Sequence, residues 1–500
     1  MHCKSRFLRQ CFTGSIACAA SMTAIAGPVY MPPSANLVYG DVTHGQRILS
    51  ASGNPAAAAV DVVRGDGKSV SGTVISGSAG LEYGNVQDIF DTIDDLAKAF
   101  KPSEPGPGGT PPGQNPGDKP PGGIDIDIDW GEIIDAIDPE LGPAIAAAAA
   151  EIGILGGVLA LISAEGYGKA FVQADAPFVI GREFLGGAWS FGANWSGEAK
   201  AFGLVEPIEF DLLTALDALD GALALERTDP VTVFDLTPDG SILMRIDPAT
   251  GSTRVGVDND SSLLTKSSQT TELNLGYSSQ VWPTSAGSLY LGAKARLYMM
   301  RLSRATVRFG DITDSDELFD AIRYADYKSD NGAGLDFGAL WVANHYQIGA
   351  QVTNVNEPEF EFPGLNLDAY KDPLIIAALN ADQNYTMERQ FKFEGSVFTQ
   401  NRRLTMNLGL DANAVPDPVG DDYQWLTASV GYATDSWWLP GVRAGYRKNL
   451  AGTELGYIGV GVTALKVLNI DIASALDTVS ISGKTLPRGL MASIGFQIAW

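Results

Sequence analysis

From Leu490 to the C-terminus, every second residue is apolar. Leu490, Ala492, Ile494, Phe496, Ile498 and Trp500 share one parity; Met491, Ser493, Gly495, Gln497 and Ala499 take the other and, Met491 apart, are small or polar. Period-two alternation sends the two sets to opposite faces of a strand. A run of about eleven residues is the length a tilted strand needs to cross a bilayer. One face is therefore expected in lipid and the other on a packed or wet lumen. The rival reading is the last strand of a soluble sheet or β-sandwich, and recurrence of the pattern upstream weighs against it.

The alternation takes over from Gly168. Trp189, Phe191, Ala193 and Trp195 share a parity, as do Leu273, Leu275 and Tyr277, and the odd positions from Leu289 to Met299. Leu335, Phe337, Ala339 and Trp341 form a strand; a short turn with Asn344 and His345 follows, then Tyr346, Ile348, Ala350 and Val352. Further sets begin at Phe391, Leu404, Leu426, Val442, Ile458 and Ile470, which makes about a dozen strands or more. Trp282, Trp341, Trp425, Trp437, Trp438 and Trp500 lie near strand ends and are expected in interfacial girdles. Residues 211–225 and 367–379 read as loop helices. The expected fold class is an all-β membrane barrel, closed so that no strand edge meets lipid.

The opposite parity carries charge. Lys294, Arg296, Asp336, Lys392, Glu394, Arg443, Arg447 and Asp471 are expected to line the lumen. Two readings stand for them. Opposite signs would pair across the barrel and stiffen it, or the charges would line a solute path, with Arg443 or Arg447 binding an acyl carboxylate.

Residues 1–26 resemble a secretory leader. Lys4, Arg6 and Arg9 precede a mostly small or apolar stretch, and Ala24-Ile25-Ala26 is a cleavage signal. A lipoprotein signal ending at Cys18 is the lesser alternative. Cys3, Cys11 and Cys18, the three cysteines of the chain, all fall in this segment, so the mature chain would have no disulfide or thiolate site. The formal net charge of −25 argues against nucleic acid as a partner, since phosphates require basic surface.

Residues 27–100 are expected to form an N-terminal plug. Its marked stretch is Asn54-Pro55-Ala56, a turn opening a short helix. Positions 86–100 have helical spacing, and 101–123 is a Pro/Gly-rich linker. Asp125, Asp127 and Asp129 imitate a calcium loop, but Trp130 and Ala136 stand where Gly and Glu are required. Residues 124–166 include the apolar run 141–164, expected as a helix against or inside the barrel that begins at 167. His44 and His345 are the histidines outside the leader, and no nucleophile elbow, zincin or phosphate-loop motif is present. No catalytic residue, metal or cofactor is expected.

The run Gly332-Ala333-Gly334-Leu335-Asp336-Phe337-Gly338-Ala339-Leu340-Trp341, continued through Ile348-Gly349 to Asn354-Val355-Asn356-Glu357-Pro358, resembles a hairpin of the FadL-superfamily outer-membrane barrels. With Asn54-Pro55-Ala56 behind a leader, it is most similar to the conjugal-transfer TraF-like branch, which is distinct from the thioredoxin-like TraF. The resemblance spans roughly 30–500 apart from the linker. It implies about fourteen strands, an N-terminal plug and residence in the outer membrane of a Gram-negative bacterium. It implies either uptake of hydrophobic solutes, such as long-chain fatty acids, or an accessory role in a conjugation or secretion apparatus. A non-transporting envelope interaction protein is the third reading. Expected partners are outer-membrane lipid, the barrel-assembly machinery through a terminal signal at Phe496 and Trp500, and a hydrophobic small molecule or envelope-complex proteins.

Overall fold

The computed structural model describes residues 32, 34–43, 47–63, 71–84, 166–206, 212–238, 240–250, 252–257, 259–308, 325–434, 436–481 and 484–499. The expected leader 1–26, the expected helix at 86–100, the Pro/Gly-rich stretch 101–123, the acidic run 125–129, the apolar run 141–164, His44 and Trp500 lie outside the described residues.

Fourteen antiparallel strands close into one barrel. They are β1 (Gly72–Tyr83), β2 (Tyr167–Phe184), β3 (Gly187–Leu204), β4 (Ser262–Pro283), β5 (Ser288–Arg308), β6 (Tyr327–Val342) and β7 (Tyr346–Thr353). The second half is β8 (Gln390–Phe398), β9 (Leu404–Asp411), β10 (Trp425–Tyr432), β11 (Gly441–Asn449), β12 (Gly456–Ala464), β13 (Leu468–Ala475) and β14 (Gly489–Ala499). Each strand pairs with its sequence neighbours. β1 closes the ring by pairing with β14, from Gly72 opposite Ala499 to Glu82 opposite Gly489. Every ladder therefore has a partner on both sides, the condition for backbone polar groups in hydrocarbon.

The closing strand corrects the expected boundary. The alternation pattern puts all of 27–100 in the plug and starts the barrel at 167, whereas 72–83 belong to the wall. Sequence alone hides this strand. Its outward positions include Gly77 and Ala79, too small to give a strong apolar alternation.

Elsewhere the parity reading holds. Leu297, Phe393, Leu408, Val460, Ile472 and Phe496 face outward and are exposed, an apolar surface that requires lipid. Trp425 is the exception among the expected girdle residues. It is buried and faces inward, because its neighbour Leu426 takes the outward parity. The other described tryptophans of that set gather at one end, with Trp282 and Trp341 edge-to-face at 6.5 Å and Trp437 and Trp438 exposed.

Loop length distinguishes the two ends. One end carries brief connections, such as Leu185-Gly186 between β2 and β3 and 465–467 between β12 and β13. The other carries long ones with structure of their own. There lie the helix α4 (Leu212–Leu223), a three-stranded sheet over 232–257, and the helix α5 (Pro373–Asn380), close to the two expected loop helices. β4 and β5 run far past bilayer length toward these loops. Arg304 and Arg308 near the end of β5 donate to the Pro363 and Ala369 carbonyls, tying the 354–389 loop down.

Three short helices occupy the lumen: α1 (Asn36–Tyr39), α2 (Arg47–Gly53) and α3 (Ala57–Val63). α1 packs on β10 to β13, and α2 and α3 on β1 to β5. Among the described residues no helix is long and apolar enough to cross a membrane.

Candidate functional site: the plug in the lumen

α2 ends at Gly53 and α3 begins at Ala57, so Asn54-Pro55-Ala56 is the joint between two helices. Asn54 Oδ1 accepts the Ala56 N–H at 2.9 Å, a side-chain substitute for the missing turn of helix. Its Nδ2 donates to Glu394 Oε1 on β8 at 2.6 Å. The same carboxylate accepts from Thr43 Oγ1 at 2.9 Å and from the Thr43 N–H. The Thr43 carbonyl in turn accepts from Ser396 Oγ at 3.0 Å and from Gln347 Nε2. One carboxylate thus holds both the joint and the chain entering α2.

Lys294 on β5 reaches the other side of the joint. It donates to the Ala51 carbonyl at 3.2 Å and the Ser52 carbonyl at 2.8 Å, the unsatisfied acceptors at the end of α2. Ser278 Oγ accepts the Ala59 N–H at 2.9 Å at the start of α3. Two wall glycines admit the joint. A Cβ at Gly338 would lie 2.2 Å from Asn54 Oδ1, and one at Gly292 would lie 2.3 Å from the Pro55 carbonyl oxygen. The same holds beneath α1, where Gly445 faces the Val38 carbonyl and Gly431 faces the Tyr39 hydroxyl.

The remaining expected lumen residues divide into separate groups. Arg296 bridges Glu272 at 2.9 Å and Asp336 at 2.5 Å, and Asp336 also accepts the Asn354 N–H at 3.0 Å. Arg443 grips Asp471 with two bonds, 2.7 and 2.6 Å, and donates to Thr463 and the Val462 carbonyl. Those bonds occupy the donors that an acyl carboxylate would use at Arg443. Arg447 lies over the Trp425 ring, 3.8 Å from its centroid. Lys392 pairs with Asp41 of the plug at 3.2 Å. Phe496 sits on the lipid face of β14, away from all of these.

A cavity of about 40 Å³ lies among Asp41, Lys392, Asp411, Trp425 and Arg447. That volume has room for a few water molecules and is far below the several hundred Å³ of a typical ligand site.

Sequence reasoning missed a second set at the long-loop end. The turn 417–421 between β9 and β10 folds into the barrel mouth. There Lys169 of β2 pairs with Asp417 and, at 3.1 Å, with Asp421, which Lys200 of β3 also engages. Burial pushes the Asp421 carboxyl up, but Lys169 and Lys200 together pull it below the ordinary range. The Pro-Gly composition of this loop marks a turn and nothing more, so no sequence signal placed it inside. Glu272 was within reach, since it shares the inner parity of Asn274.

Comparison with known proteins decides the family. The family model for the F plasmid transfer operon TraF protein matches residues 51–411, most of the chain. This chain belongs to that TraF family. Solved structures similar to it include the Pseudomonas putida toluene transporter TodX, 9% identical over 94% of this chain and 98% of that one, with a TM-score of 0.38. Another is a Pseudomonas aeruginosa FadL homologue, 12% identical over 95% and 98%, with a TM-score of 0.33. No curated protein matches this TraF-family chain by sequence.

Proposed function

We propose that this TraF-family chain is an outer-membrane barrel with a lumen closed by its own N-terminal segment, and that it serves a conjugation or secretion apparatus by presenting its long loops to other envelope proteins. The observation that carries this reading is the bonding of the plug. Glu394 and Lys294, opposite in sign and on different strands, hold the same helix joint from two sides. Charge-assisted bonds of this kind suit a fixed closure better than an open conduit. The family description, a plasmid transfer operon protein, supports the apparatus over solute uptake. The leader expected at 1–26 and the terminal signal expected at Phe496 and Trp500 support passage to the outer membrane through the barrel-assembly machinery. The proposal involves no catalytic step.

Deletion of the gene in a donor strain, with plasmid transfer and long-chain fatty-acid uptake both measured, tests it. A fall in transfer with uptake unchanged is expected. Unchanged transfer with reduced uptake would make the chain a hydrophobic-solute channel instead.

A further inference from the structure

The short-turn end of the barrel carries a patch that the plug and the loop crown leave unused. The connection 433–440 presents Trp437, Trp438 and Leu439, with Trp438 91% exposed. Ser436 Oγ accepts the backbone N–H groups of Trp438 and Leu439, each at 3.2 Å, so the three side chains stand on a shaped turn. The flanking turns are cationic. Arg403 adjoins this connection directly, because its carbonyl accepts the Ala433 N–H at 2.7 Å. On the other side Gly441 pairs with Thr463, next to the turn that holds Lys466. Arg403 and Lys466 are exposed, and Arg402 is half-buried over the Phe398 ring. Along the rim the order is therefore cation, aromatic, cation.

Two further observations give this order weight. Leu465 and Lys466 both have positive φ, +51° and +58°, and Arg402 has +52°. Such backbone favours Gly or Asn, yet these turns keep long side chains there. The patch also opposes the charge of the rest of the molecule. The net charge is −25, and the 354–389 loop at the far end holds seven carboxylates against Lys371 and Arg389. The three rim turns hold Arg402, Arg403 and Lys466 against one acid, Asp435, which lies outside the described residues.

We propose that this rim is a docking site for anionic phospholipid headgroups in the leaflet facing the short turns. The tryptophans and Leu439 enter the interface, continuous with the lipid-facing Leu404 and Tyr432, and the cations meet the phosphates. A zwitterionic headgroup offers no net charge to this triad, so phosphatidylglycerol is favoured over phosphatidylcholine. This inference does not depend on the role in a transfer apparatus.

The test is lipid retention by the purified full chain, read by native mass spectrometry while it is titrated with phosphatidylglycerol or phosphatidylcholine. The wild-type chain is expected to retain phosphatidylglycerol on the order of tenfold better. The variant Arg402→Gln/Arg403→Gln/Lys466→Gln should lose that preference while its heat-modifiable gel shift persists. Lys466→Gln alone, a single exposed change, should lose part of it. Equal retention of the two lipids by the wild-type chain, or an undiminished preference in the folded variants, would overturn the proposal.

Discussion

Glu394 accepts three donors from the plug: Asn54 Nδ2, the Thr43 hydroxyl and the Thr43 N–H. Glu394→Gln removes the charge from all three bonds and turns one acceptor into a donor. Plug docking should weaken by about 1–3 kcal/mol. Amide exchange over 47–63 should quicken while exchange in the barrel strands stays unchanged. Gly338→Ala attacks the same joint by volume, since its Cβ would meet Asn54 and Pro55, and should cost about 1–3 kcal/mol. At the long-loop end, Arg389 bonds both oxygens of Glu357, at 2.7 and 2.8 Å. Those hydrogen bonds hold the Glu357 carboxyl down at about 2, from an ordinary 4.5. A depressed acid stabilises the folded loop above its ordinary value, and that contribution is lost as pH falls from there through about 2. NMR titration of the Glu357 carboxyl carbon should show its midpoint near 2, and Arg389→Gln should return it toward 4.5. The sequence named Asn54 as a turn residue and Glu394 as inward-facing. It did not join them, because parity gives the face of a strand and not the height or partner across a lumen.

For single elements, legibility followed side-chain size. β12 alternates Ile458, Val460 and Val462 with Gly459, Gly461 and Thr463, so its two faces were plain. β1 sets Gly77 and Ala79 outward and buries Val74, which blurs the same pattern, and only pairing with β2 and β14 reveals it. Exposure alone does not separate lipid from water, and a pair of substitutions does. Val460 is exposed at the middle of a spanning strand, and Leu374 is exposed on α5 in a long loop. Val460→Arg should destabilise the barrel by about 2–4 kcal/mol, the cost of a cation near the bilayer midplane. Leu374→Arg should stay within about 1 kcal/mol, since it moves a charge only into water. Urea unfolding in phospholipid vesicles reads both.

Across the whole molecule, the closed sheet and the plug have separable roles. Ring closure by β1 and β14 requires none of α1, α2 or α3, since the ladders on both sides of β1 are continuous through the backbone. The plug lies in the lumen and is joined to the wall by wall side chains, chiefly Glu394, Lys294, Ser278 and Lys392. Removal of residues 32–63 should therefore leave a folded barrel with an open lumen. Its inner wall would then expose Lys294, Lys392 and Glu394 to water, which solvates them, so their lost partners do not prevent folding. In planar bilayers the full chain should be electrically silent and the deletion variant should conduct. The variant should retain its heat-modifiable gel shift, a little lowered in midpoint by the lost packing. A silent deletion variant with that shift intact would mean that something other than α1 to α3 closes the lumen. A full chain that conducts would mean that the bonds at Asn54 and Lys294 leave a path beside the plug, and the chain would then have to be read as a channel.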